Sequence, residues 1–139
     1  MDSFGKRYLM VLGSIVTAVI LYIVLSGDER VYQINALLAE DADLRDYPYT
    51  FRVLRIEEGI AIMGSPRSAE VPAMRFLRTA FPELSRTAVD DPSMFAAQQI
   101  LAEKQGRAMQ LVESQSDVTA VRWEIDERWF NENGVFLNY

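Results

Sequence analysis

Tyr8–Ser26, YLMVLGSIVTAVILYIVLS, contains no charged residue, with Lys6 and Arg7 before it and Asp28, Glu29 and Arg30 just after it. Nineteen residues at about 1.5 Å each make roughly 28 Å of helix, close to the roughly 30 Å hydrocarbon core of a bilayer. A helix satisfies its own backbone hydrogen bonds in lipid, so the run reads as one membrane-spanning helix. Tyr8 stands at one edge, where an aromatic ring with a polar tip is favoured, and Ser26 closes the other. Gly13, Ser14 and Ala18 form a stripe of small residues without a GxxxG motif. Incidental small residues are the plainer reading of that stripe, and a helix-packing face is the sharper one.

The flanks give the segment a direction. A cleaved secretory signal has an apolar stretch of about 7–15 residues and a small-x-small cleavage site. This stretch is longer, and its end, VLSGDER, offers a poor site. The expectation is therefore an uncleaved anchor in a bacterial inner membrane. Lys6 and Arg7 hold the N-terminus in the cytoplasm, and the domain that follows lies in the periplasm. The bacterial origin is a compositional reading, from arginine far outnumbering lysine. The chain divides into residues 1–30, a cytoplasmic stub with the transmembrane helix, and residues 31–139, an exported domain.

Composition limits what that domain can do. The chain of 139 residues carries a net charge of −6, nearly all of it beyond the helix. Such a surface repels nucleic acid and anionic headgroups at long range. There is no cysteine and no histidine. No disulfide supports the fold, which must rest on packing. No Ser-His-Asp or Cys-His site can be built within the chain, and the commonest metal ligand is missing. No cofactor, metal site or catalytic residue is expected.

Hydrophobic periodicity then orders the domain. Val31–Glu40 places Val31, Ile34, Leu37 and Leu38 at helical spacing. DADLRDYP is a polar loop that Pro48 closes. Tyr49–Ile56 alternates as a half-buried strand, Glu57, Glu58 and Gly59 make a turn, and Ile60–Gly64 returns as its hairpin partner. Ser68–Phe81 predicts a helix with Ser68 as N-cap. A longer helix runs from Pro92 to about Gln115, capped by Asp91, with Phe95, Leu101, Ala108, Leu111 and Val112 on its inner face. Val118–Arg128 is the clearest strand, alternating Thr119, Val121, Trp123 and Ile125 with charged residues. Asn133-Gly134 between apolar runs predicts a second hairpin, with Val135–Leu137 as its return strand. The order is α-β-β-α-α-β-β. The fold class is α+β, an antiparallel or mixed sheet with helices on one face.

This order, with a helix leading into a hairpin, resembles the BON domain of bacterial envelope proteins. Ala36–Val53 is similar to that family's first helix and first strand. Gly64 in IAIMGSPRS matches its strand-ending glycine, and Val118 and Val121 match its V-x-x-V entry to the last strand. Two departures stand out: the stretch from Gly64 to Val118 is about twice the family's length, and Asp117 stands where the family has glycine. The resemblance implies a non-catalytic module that binds phospholipid or protein at the cell envelope, and the acidic charge of this chain weighs against the lipid half.

Candidate sites follow from the pattern. Glu57-Glu58 reads as a solvated turn rather than a cation site. GSPRS, with Arg67, could cradle an anion but lacks nucleotide-loop spacing and reads as a connection. Glu124, Asp126 and Glu127 near Arg122 and Arg128 read as charge pairing rather than acid–base machinery. Trp129, Phe130, Val135, Phe136 and Leu137 make an unusually apolar C-terminal hairpin, the best candidate for docking a partner. The expected function is a single-pass, membrane-anchored, non-catalytic binding or assembly protein of the cell envelope, contacting another envelope protein through its exported domain. The alternative is an accessory subunit of an integral membrane complex, with the helix as main contact. A carboxylate-dependent hydrolase is a more remote third.

Overall fold

The computed structural model describes residues 2–139. It is an α+β arrangement of a long N-terminal helix, a three-stranded mixed sheet and further helices. Helix α1 spans Ser3–Glu40, capped by Asp2, whose carboxylate accepts from Gly5 N–H at 2.9 Å. At 38 residues it is about 57 Å long. Its apolar N-terminal part is long and apolar enough to cross a membrane, and the domain buries none of it. The helix expected over Val31–Glu40 is not a separate element. It continues the anchor without a break, because no proline interrupts Asp28–Arg30 and those polar residues are compatible with helix. The boundary placed after residue 30 therefore falls inside one helix.

The last turns of α1 belong to the core. Ile34 and Leu38 are buried in the same core cluster as Tyr49, Phe51 and Val53. Arg30 grips the far side of the domain with two hydrogen bonds of 2.7 Å to Asp117 and one of 3.0 Å to Gln115. Asn35 reaches strand β1 (Val53–Glu57), donating to Val53 C=O at 3.0 Å and accepting from its N–H at 2.6 Å.

Strand β2 (Ile60–Ser65) pairs antiparallel with β1 through the expected hairpin. Glu58 and Gly59 form its two-residue turn, with φ of 50° and 81°. Two consecutive positive φ angles suit the right-handed twist of the flanking strands, and glycine takes the second at no steric cost. β1 begins at Val53, later than expected, and its register with β2 shifts between Val53 and Arg55. Tyr49 and Phe51 are nonetheless buried. Strand β3 (Ala120–Ile125) lies parallel to β2, so the sheet order is β1-β2-β3.

Between β2 and β3 the chain makes α2 (Ala73–Ala80), a 3-10 turn (Pro82–Leu84) and α3 (Pro92–Glu113). α2 starts five residues later than the helix expected from Ser68. Pro72 excludes the residue before it from helical geometry. Ser68 caps a turn instead, accepting from Glu70 and Val71 N–H. α3 starts as expected, with Asp91 accepting from Ser93 N–H at 2.8 Å and Pro92 in the first turn.

The C-terminal hairpin does not form, and the sheet has three strands. Asp126 caps a short helix, α4 (Glu127–Glu132), by accepting from Trp129 N–H at 3.2 Å. Asn133-Gly134 then ends the helix instead of turning a hairpin. Gly134 has φ 77°, and Val135 N–H donates to Phe130 C=O at 2.8 Å. This is a Schellman stop, which asks for the same left-handed glycine as a hairpin turn.

Candidate functional site

Side-chain chemistry gathers in three places around the sheet. The first lies where β2 runs into GSPRS. Ser65, almost fully buried, donates its hydroxyl to Arg67 C=O at 2.7 Å. Gln105, a buried polar residue on the inner face of α3, donates to Ser65 Oγ at 3.1 Å and accepts from Arg67 Nε at 2.5 Å. These bonds close a ring that fixes the loop to α3. Above it opens a cavity of about 390 Å³, lined by Arg67, Ser68, Gln105, Gly106, Met109 and Trp123. Gly106 is in mid-helix with open space where its side chain would be. The remaining guanidinium nitrogens of Arg67 can offer donors to a polar group there, whereas the Ser68 hydroxyl already donates to Glu70 at 3.2 Å.

The second place is the clasp formed by Tyr49 and Asp126. Asp126 is buried; its Oδ2 accepts from Tyr49 Oη at 2.9 Å and its Oδ1 from Trp129 N–H. Arg52 Nη2 stands 3.6 Å from the same Oδ2. Burial, and then the negative charge of Asp126, hold the Tyr49 hydroxyl well above its ordinary range. Gly64 makes room for this bond. A Cβ there would lie 2.9 Å from Tyr49 Oη and 3.3 Å from Asp126 Oδ2. The rings of Tyr49, Phe76 and Trp129 close over it, at centroid separations of 5.0–6.2 Å. Both carboxylate oxygens of Asp126 are thus occupied within the fold.

The third place is an apolar groove of about 450 Å³ between the Tyr47 loop, the 3-10 turn and α3, lined by Tyr47, Phe81, Leu84, Ala97 and Ile100 with Asp46 and Glu83 at its rim. Burial pushes the Tyr47 hydroxyl up to about 12. Phe95 stands on the same helix, 71% exposed. The inner face of α3 is Met94, Leu101, Gln105, Ala108 and Val112. Phe95, expected inside, is one position off that face. The spacing from Met94 (seven, then four, three and four) is a cleaner helical stripe than the one drawn through Phe95, and it was available in the sequence.

The structure separates the other expected site residues. Tyr8, Gly13, Ser14 and Ala18 lie along the exposed part of α1, and Ser26 is half-buried. Ser14 spends its hydroxyl on Met10 C=O at 2.8 Å, and Thr17 spends its own on Gly13 C=O at 2.9 Å. At the C-terminus, Phe130 is fully buried in the core. Trp129, Val135 and Leu137 are half-buried against it. Only Phe136 of the five is an exposed apolar side chain, at 69%. The expected docking hairpin is therefore mostly core, because α4 turns its aromatic rings inward. Glu124 pairs across the sheet with Arg55 of β1, at 2.7 Å, rather than with the expected Arg122 or Arg128, and that hydrogen bond lowers its pKa. Glu57 shares the same arginine at 2.8 Å. Among the described residues, no group of acidic side chains converges to hold a metal ion.

No protein-family model matches this chain, and no curated protein and no solved structure matches it.

Proposed function

We propose that this chain is a single-pass, membrane-anchored, non-catalytic binding or assembly protein of the bacterial cell envelope. In this reading α1 crosses the inner membrane with its N-terminus in the cytoplasm, and the α+β domain contacts another envelope protein in the periplasm. The observation that carries the reading is the continuity of α1: one helix offers a whole apolar span to lipid and inserts its last turns into the domain core. Such a joint holds the domain at the membrane surface in a set orientation, which serves an assembly role better than a flexible tether would. Lys6 and Arg7 support the orientation through the positive-inside bias. Tyr32, three-quarters exposed beyond the span, suits the headgroup region. Asp126 and Glu124 are already committed to Tyr49 and Arg55, which supports a binding role over carboxylate chemistry. The likeness to the BON domain in residues 36–53, 60–68 and 118–121 points the same way.

Fusions at Tyr139 test the topology: a periplasm-dependent phosphatase is expected to be active and a cytoplasm-dependent fluorescent protein dark, and the reverse pattern refutes it. Photo-crosslinking residues placed at Phe95 and Phe136 test the contact. A discrete adduct from either, with none from Glu57 or Glu58, is expected in intact cells. Adducts from neither aromatic position count against a protein partner on those surfaces. Replacing residues 8–26 with an unrelated span is expected to leave the adducts in place; their loss favours the accessory-subunit reading.

A further inference from the structure

Strand β3 ends the sheet, and its outer edge has no strand partner among the described residues. Such an edge is a template for another strand, and proteins usually blunt it with proline, bulges, charged side chains or a covering element. β3 has no proline and no bulge, and its two charged residues, Arg122 and Glu124, are of opposite sign. Its six residues, AVRWEI, pair with β2 in unbroken register. The N–H of Asp126, just past the strand, donates to Ser65 C=O of β2 at 2.8 Å. Strand alternation then turns the backbone groups of Val121, Trp123 and Ile125 outward. The charges on the strand are of opposite sign and two residues apart. Arg122 has no carboxylate within ion-pair distance among the described residues; Glu124, about half exposed, already accepts from Arg55 at 2.7 Å and has lone pairs left for a second arginine.

We propose that β3 pairs antiparallel with β3 of a second copy of this chain, about a two-fold axis through Trp123. In that register Arg122 faces Glu124 of the other copy, and Glu124 faces its Arg122. Val121 and Ile125 meet across the other face. Centring the axis one residue earlier sets arginine against arginine, and one residue later sets glutamate against glutamate, and like charges directly opposite are destabilising. The charge pattern therefore selects one self-complementary register, as an isologous contact requires. The result is a continuous six-stranded sheet, β1-β2-β3 joined to its two-fold mate. This surface is distinct from Phe95 and Phe136, so it leaves room for the envelope partner.

The test uses the full chain in detergent, labelled at Asn138→Cys, an exposed position in a chain with no other cysteine. Energy transfer between donor-labelled and acceptor-labelled wild-type chains is expected. Arg122→Glu places two glutamates on each edge, and Glu124→Arg places two arginines. Each variant alone is expected to weaken pairing at least about tenfold. An equimolar mixture of the two restores opposite charges at both positions and is expected to recover the transfer. Val121→Pro removes an outward N–H without touching an ion pair and is expected to abolish pairing, which keeps the test decisive if Glu124→Arg unfolds. Circular dichroism checks each fold. No transfer in the wild type, or transfer unchanged in Arg122→Glu or in folded Val121→Pro, overturns the proposal; so does a mixture of folded single variants that fails to recover.

Discussion

Strand β1 meets the side chain of Asn35 at its outer edge, whereas strand β3 has no strand partner at its outer edge among the described residues. The amide of Asn35 copies what a neighbouring strand would do, giving Val53 one acceptor and one donor from α1. The β1 edge is therefore consumed by the same helix that carries the membrane span. The β3 edge keeps its outward backbone groups, an unpaired Arg122 among the described residues, and Glu124, which is shared with Arg55. One side of the sheet thus joins the domain to its anchor, and the other is free for association. Changes at the first side are expected to cost folding, and changes at the second to cost association only.

The largest effect is expected where α1 enters the core. Leu38→Ala leaves a cavity beside Phe51 and Val53 and is expected to destabilise the domain by about 2–5 kcal/mol. Both tryptophans, Trp123 and Trp129, lie in the domain, so thermal unfolding followed by their fluorescence reports it directly. Asn35→Leu is the sharper probe. It leaves the Val53 N–H and C=O without partners, and a loss of about 1–3 kcal/mol is expected. A cost below about 0.5 kcal/mol, the scale of an ordinary surface change, would mean that Asn35 does not close the edge.

Much of this asymmetry was legible in the sequence, and the illegible parts have physical reasons. The span Tyr8–Ser26, the Glu58-Gly59 hairpin, the Asp91-Pro92 helix start and the alternation of β3 each follow from a local signal that no tertiary contact overrode. The fusion of the anchor with Val31–Glu40 was hidden because Ser26-Gly27-Asp28 reads as an exit from lipid, although helix continues through it at modest cost. The C-terminus is ambiguous in sequence because Asn133-Gly134 serves a hairpin and a helix stop equally well. Asp126 decided between them: it caps α4, and its other oxygen holds Tyr49. That second bond spans 77 residues and leaves no local trace. The sheet order was likewise outside local reach, since the choice of β2 as the neighbour of β3 depends on how α2 and α3 pack.

A smaller effect is expected at the Arg30–Asp117 pair, which ties α1 to the loop that leads into β3. The hydrogen bond from Arg30 is the main cause of the lowered pKa of Asp117. The folded value therefore lies below the unfolded one, about 4. The stabilisation is present in full above the unfolded value and is lost as pH falls through the folded one. The pair is partly exposed, so its contribution is about 0.2–1 kcal/mol. The melting temperature of Asp117→Asn is expected to lie slightly below wild type at neutral pH, to begin converging with it at about pH 4, and to meet it once pH has fallen below the lowered folded pKa. A difference that persists into acid would assign the effect to something other than the ion pair.

The smallest effect on folding is expected at the open edge itself. Arg122→Glu touches no ion pair among the described residues and no core contact, so its unfolding midpoint under dilute, monomeric conditions is expected to stay within about 0.5 kcal/mol of wild type. Set beside Asn35→Leu, this completes the contrast: a helix residue that closes one margin of the sheet is costly to alter, and a residue on the opposite, open margin is nearly silent. The silence also gives the association measurement its meaning. If Arg122→Glu destabilised the isolated domain as Asn35→Leu does, both margins would be structural, and lost pairing would follow trivially from lost folding. A fold left intact at the β3 edge, with pairing that responds to the sign of one charge, requires that the edge be kept for contact rather than for stability.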